Sequence, residues 1–163
     1  MALVKFQQRP YWCGPASIQN ALRALGCRVG QERIAKIAGS TKEDGTDEVG
    51  IQQAIKSLGY NHNELCTDVW NQAKSWLDDA VVAGNPVLLC VESWQHWVCV
   101  IGALGGRPEM RYIIVDPARY EHNKSENGVH SWSWKTLAKN WRASHKMSRS
   151  EGSYYAISVG HGE

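Results

Sequence analysis

Residues 7–17, QQRPYWCGPAS, decide how this chain reads. Cys13 stands between Trp12 and the pair Gly14-Pro15, just ahead of Ala16, Ile18, Ala21, Leu22 and Leu25. Those apolar residues recur near helical spacing, and Gly26 fits as the stop. Proline is favoured at the first helical position, where its fixed φ suits the helix and its missing N–H costs nothing. The helix is therefore expected to begin at Gly14 or Pro15, with Cys13 at the positive end of its dipole. A thiolate is stabilised there, so the thiol is expected to ionise more readily than usual. Gly14 also lets backbone come close to a bound group. The competing reading is a core cysteine, because buried reduced cysteines usually behave as small hydrophobes.

The rest of the chain narrows the choice. Its 163 residues are expected to form one domain, 1–163, long enough to bury a substantial core. A net charge of +2 is too small to argue for nucleic acid or a membrane surface as partner. No apolar run approaches the roughly 18 residues that span a bilayer, and MALVKFQQRP lacks the features of a secretory signal. The expected location is the cytoplasm. Five cysteines, 13, 27, 66, 90 and 99, form no C-x-x-C pair. That speaks against a disulfide framework and against a common zinc pattern, and neither a metal nor a cofactor is expected.

The first half reads as helical. GPASIQNALRALG is followed by a shorter helix in GQERIAKIAG and a third in GTDEVGIQQAIKSLG, with Thr46 as its expected N-cap. TDVWNQAKSWLDDAVVAG would be a fourth. The period then changes. PVLLCVE suits a strand buried on both faces, HWVCVIGAL and RYIIVDP follow it, GVHSWSW alternates, KTLAKNW is a short helix, and GSYYAISVG reads as a last strand. Helices first and strands second imply an α+β domain with an antiparallel sheet.

Among six histidines, His96 alone lies between two strongly apolar runs. Its runs flank GGRPE, a turn-rich segment centred near Gly106. A hairpin symmetric about that centre sets His96 directly opposite Asp116, with Cβ atoms roughly 5 Å apart. The carboxylate would then fix the imidazole tautomer. Otherwise His96 is a structural residue at a strand start and Asp116 a turn residue before Pro117. A thiol, an imidazole and a carboxylate form a coherent nucleophilic set. Gln7 or Gln8 would supply the remaining part, an amide donor for an oxyanion beside the N–H of Cys13.

The order Q-x-x-x-x-x-C-G-P-A-S, then HWV, then VDPA resembles the papain-like cysteine peptidases, and within them the bacteriocin-processing, double-glycine leader peptidases and their stand-alone relatives. EDGTDEVGIQQAIKSLGY and Trp141 fit the same pattern, so the likeness covers nearly the whole chain. It implies a papain-like fold, N-terminal helices on a C-terminal antiparallel sheet, and a peptide or protein substrate. It implies the set Gln7, Cys13, His96 and Asp116, with Gln7 rather than Gln8 six residues ahead of the thiol. QRPYWCG and DPAR also resemble phytochelatin-synthase-like enzymes, which pass the acyl group to another amine through the same thioester. A non-catalytic peptide-binding domain of the same fold is the further alternative. Trp12 and Trp94, next to Cys13 and near His96, are candidate cleft walls, and the basic stretch NWRASHKMSR a candidate site for acidic groups.

Overall fold

The computed structural model describes residues 4–91, 96–118, 127–141 and 154–162. Trp94 and the basic residues Arg142, His145, Lys146 and Arg149 lie outside them. The elements run α1 (Cys13–Ala24), α2 (Gln31–Ala38), α3 (Glu48–Ser57), β1 (Tyr60–Thr67), α4 (Trp70–Val82), β2 (Val87–Val91), β3 (His96–Leu104), β4 (Arg111–Val115), β5 (Val129–Ser133), α5 (Trp134–Trp141) and β6 (Tyr154–His161). The strands form one antiparallel sheet in the order β1-β6-β2-β3-β4-β5. No described helix is long and apolar enough to cross a membrane.

Strand alternation splits the core in two. Leu88, Cys90, Trp97, Cys99 and Val115 pack with Ile18 and Leu22 of α1, Ile34 of α2 and Ile51 of α3. Their neighbours Val87, Leu89, Val98, Val100 and Ile114 pack with Ala73 and Leu77 of α4 and Leu137 and Trp141 of α5. A sheet covered by helices on both faces explains why β2 reads as an unbroken apolar run with every residue buried.

Three local expectations are corrected. Helix α1 begins one residue earlier than expected, at Cys13, with Trp12 as N-cap and Pro15 at the third helical position. Pro15 fits there because the N–H groups of the first turn have no intrahelical acceptor. Thr46 is not the N-cap of α3. Asp47 is, its carboxylate accepting from Gly50 N–H at 2.7 Å, while Thr46 turns inward and is buried. Strand β1 lies where no element was expected. YNHNELCT lacks a clean alternation because this edge strand is half exposed along its length, yet all eight of its residues pair with β6.

Candidate active site

The helical and strand halves of the molecule meet where α1 begins, β3 begins and β4 ends. His96 is the first residue of β3, and Asp116 follows the last residue of β4. The imidazole Nε2 and the carboxylate Oδ1 are 2.7 Å apart. Oδ1 also accepts the Ala118 N–H at 2.9 Å, and Asp116 donates its own N–H to the Gly128 carbonyl at 2.8 Å. Cys13 lies close enough to the same imidazole to raise its pKa. With Nε2 committed to Asp116, Nδ1 is the nitrogen left for the thiol.

The pairing of His96 with Asp116 was expected, but its geometric basis is different. The ladder sets Cys99 against Val115 and Val100 against Ile114, then slips by one residue at Ile101, so that Gly102 faces Ile113. Continuing the Cys99–Val115 pairing by one residue sets Asp116 beside Val98, not beside His96. His96 is thus a diagonal neighbour on the same face, a separation that two extended polar side chains can bridge. The turn is centred between Arg107 and Pro108 rather than at Gly106, which shifts the register away from the symmetric hairpin, and the bulge takes back one residue of that shift.

Electrostatics follow from this enclosure. The side chains of His96 and Asp116 are 12% and 16% exposed. Burial alone would lower the imidazole pKa, but the hydrogen bonds and negative charge of Asp116 and Cys13 outweigh it and lift it to about 10. Burial alone would raise the Asp116 carboxyl. The His96 bond and charge, with the Ala118 N–H, hold it below its ordinary value. The pair is therefore ionised through the neutral range. Of the other cysteines, Cys90 and Cys99 are buried and burial pushes both thiols up, Cys66 is exposed, and Cys27, like Cys13, is half-buried.

Gln7 is anchored beside this pair, its N–H donating to the Pro117 carbonyl at 2.9 Å. Its amide Nε2 folds back onto the carbonyls of Arg9, at 3.1 Å, and Pro10, at 2.8 Å. Its Oε1 is buried without a hydrogen-bond partner among the described residues. Gln8 is exposed and points elsewhere: with Arg9, Tyr11, Trp12 and Glu32 it lines a cavity of about 350 Å³. Trp12 is thus a wall of an open cavity next to Cys13, packed edge-on against Tyr11 and under the Arg9 guanidinium. A larger cavity, about 740 Å³, contains none of the four candidate residues and opens between Trp70, Lys74, Arg111 and Trp134.

Several supporting residues escaped the sequence reading. Thr46 binds the residues that follow both Cys13 and His96. Its carbonyl accepts the Trp97 indole N–H at 2.9 Å, and a Cβ on Gly14 would meet the Thr46 Cβ at 2.7 Å. Only glycine lets α1 sit this close. Ser17 Oγ donates to the Trp97 carbonyl at 3.0 Å and ties α1 to β3. Asn20 holds Lys5 through both of its backbone groups at 2.9 Å. Such bonds join residues far apart in the chain and leave no local motif, although burying Gln19 and Asn20 inside α1 requires partners for both.

Over 99% of both chains, the structure superposes with a TM-score of 0.70 and 19% identity on the peptidase domain of Streptococcus ComA, a bi-functional ABC transporter involved in quorum sensing. A double glycine motif protease from an AMS/PCAT transporter, solved in complex with its leader peptide, gives 0.66 at 16% identity over 96% of this chain and 90% of that one. Digestive procathepsin L 3 of Tenebrio molitor larval midgut gives 0.60 at 12% identity over 98% and 66%. The fold is that of the papain-like cysteine peptidases. The family model described as the Peptidase_C39 like family matches residues 3–149, and this chain belongs to that family. A relative from Methanothermobacter thermautotrophicus, an uncharacterized protein, is 39% identical over 57 residues, which are 35% of this chain and 39% of that one.

Proposed function

We propose that this protein cleaves a peptide amide bond through a thioester on Cys13. The observation that carries the reading is the 2.7 Å bond between His96 and Asp116, with Cys13 beside the same imidazole. A structural cysteine has no use for a buried imidazole held ionised by a carboxylate. In the proposed reaction His96 already holds the proton taken from Cys13, in keeping with its raised pKa, and the thiolate sulfur attacks the scissile carbonyl carbon. The oxygen's developing charge is met by the Cys13 N–H, one of the first-turn donors that the helix's own carbonyls cannot reach. Gln7 is the second donor, exchanging its longer bond, to the Arg9 carbonyl, for one to the substrate oxygen. Donors of this kind often tighten only in the complex. The imidazolium then protonates the leaving amine, the C–N bond breaks, and the acyl group stays on sulfur. Water, activated by the now neutral His96, attacks the thioester and releases acid and thiol.

A peptide substrate agrees with the leader peptide bound by the double glycine motif protease of the same fold. An amine in place of that water would give acyl transfer by the same route. Intact-mass analysis of the protein with a panel of peptides tests the proposal. The expected result is a mass gain equal to an acyl fragment, mapped to Cys13 and reversed by water or an amine. Stoichiometric binding of peptides without any covalent species would establish a binding domain instead.

A further inference from the structure

We infer that Gln31 is a positioning residue for the oxyanion donor, holding Gln7 by the two peptide groups on either side of it. The inference rests on the reading of Gln7 given above. Gln31 is the first residue of α2, 24 positions from Gln7 in the chain, and is 1% exposed. Its Nε2 donates to the Phe6 carbonyl at 2.8 Å, and its Oε1 accepts the Gln8 N–H at 2.9 Å. The Phe6 carbonyl belongs to the peptide entering Gln7, and the Gln8 N–H to the peptide leaving it. One side chain therefore fixes the plane on each side of the Gln7 Cα. The second N–H of Gln31 donates to Gln19 Oε1 at 2.9 Å, and Gln19 Nε2 in turn donates to the Val29 carbonyl at 2.7 Å. That chain orients the Gln31 amide and leaves it a single way to face. Gln7 itself lies on no strand, so no ladder fixes it. Its backbone is held by Gln31 from one side and by the Pro117 carbonyl, one residue past Asp116, from the other.

A donor misplaced by about 1 Å loses much of its effect on the transition state while the thiol keeps its own reactivity. The two are separated with small probes. Acylation of Cys13 by p-nitrophenyl acetate passes through an oxyanion, whereas alkylation by iodoacetamide does not. Gln31→Met keeps the side-chain shape and removes all three hydrogen bonds. Gln31→Glu keeps the acceptor for Gln8 and loses both donors. Each is made alone and with Gln7→Ala, and thermal melts report folding. We expect Gln7→Ala to slow acylation about 100-fold with alkylation unchanged. Gln31→Met should slow acylation on the order of tenfold, with alkylation unchanged and with little further loss in the Gln7→Ala background. Gln31→Glu should follow the same pattern. Asn20→Ala, which releases Lys5 two residues upstream, is the control for general loosening of the segment.

Three results overturn the inference. The first is folded Gln31 variants that acylate at the wild-type rate. The second is a loss repeated in full on top of Gln7→Ala. The third is an Asn20→Ala variant that, at an equal drop in melting temperature, costs acylation equally. If Gln7→Ala itself leaves acylation intact, the donor role of Gln7 fails first and the Gln31 assignment falls with it.

Discussion

The two halves of the candidate site are held in different ways. His96 begins β3 and Asp116 follows the last residue of β4, and the ladder of backbone hydrogen bonds between those two strands brings both residues to the same end of the sheet before any side chain is considered. Gln7 and the approach to Cys13 lie on an extended segment outside the sheet. Around Gln7 its position is set by the Gln31 amide of α2, which bonds the backbone on both sides, while Asn20 of α1 holds Lys5 further upstream. A ladder tolerates the loss of one side chain, because the backbone pairing survives. A segment held by amides does not, since each bond depends on one residue of a particular length and polarity. The strand half should therefore resist substitution outside the reacting groups, and the helical half should be sensitive to residues far from them.

The largest expected effect tests the strand half. His96→Ala removes the group that takes and returns the proton, and turnover should fall about 10⁴-fold or more. Circular dichroism and the melting temperature should show the β3–β4 pairing intact. Asp116→Ala should cost on the order of 10³-fold, because the imidazole loses its fixed orientation and the charge that keeps it protonated. Asp116→Asn should cost less. Oδ1 accepts from both His96 and Ala118, so an amide would keep its oxygen there and only the charge would be lost. Its distinguishing mark is in the pH profile. The alkaline limb of activity, set in the wild type by a His96 pKa of about 10, should move to lower pH.

In the helical half the expected losses are smaller and more dispersed. Gln7→Ala should lower kcat on the order of 100-fold with little change in KM, while Gln8→Ala changes neither appreciably. Gly14→Ala would drive a Cβ to within 2.7 Å of Thr46. A denaturant titration should show a loss of about 1–3 kcal/mol from overpacking. If Gly14→Ala proves neutral, the close approach of α1 to the Thr46 loop is not a constraint on the site.

A further effect is on stability against pH. His96 keeps its proton in the folded chain to about pH 10, against an ordinary value of 6.5. Its contribution is full below pH 6.5 and is lost as pH rises towards 10. Asp116 is shifted the other way, from an ordinary value of 3.8. Its contribution is present above that value and is lost as pH falls through the lowered one. The stability difference between wild type and His96→Ala, measured by urea unfolding, should be largest near pH 5–6 and shrink by pH 9.5. A difference that grows with pH would mean that His96 is buried neutral.

How far the sequence could be read follows the same division. The strands β2, β3, β4 and β6 and the helix after Cys13 carry their periodicity in consecutive residues, so they were legible. So was the pairing of His96 with Asp116, although the ladder runs with a bulge at Ile101 that no apolar pattern announces. Strand β1 was hidden because an edge strand exposed along half its length needs no apolar alternation. Gln31 and Thr46 were hidden for another reason. Gln31 works through backbone groups of residues distant in the chain, which any residue carries, and Thr46 accepts the Trp97 indole through its own carbonyl, which any residue would also offer.

The central claim is that Cys13 is the one thiol activated by its partner imidazole. Limited iodoacetamide labelling at pH 6, mapped by peptide mass over all five cysteines in wild type and in His96→Ala, tests it most directly. The account predicts that Cys13 is labelled first in the wild type, ahead of the exposed Cys66, and that the preference disappears in His96→Ala. Faster labelling of Cys66, or a Cys13 preference that survives loss of His96, would contradict it.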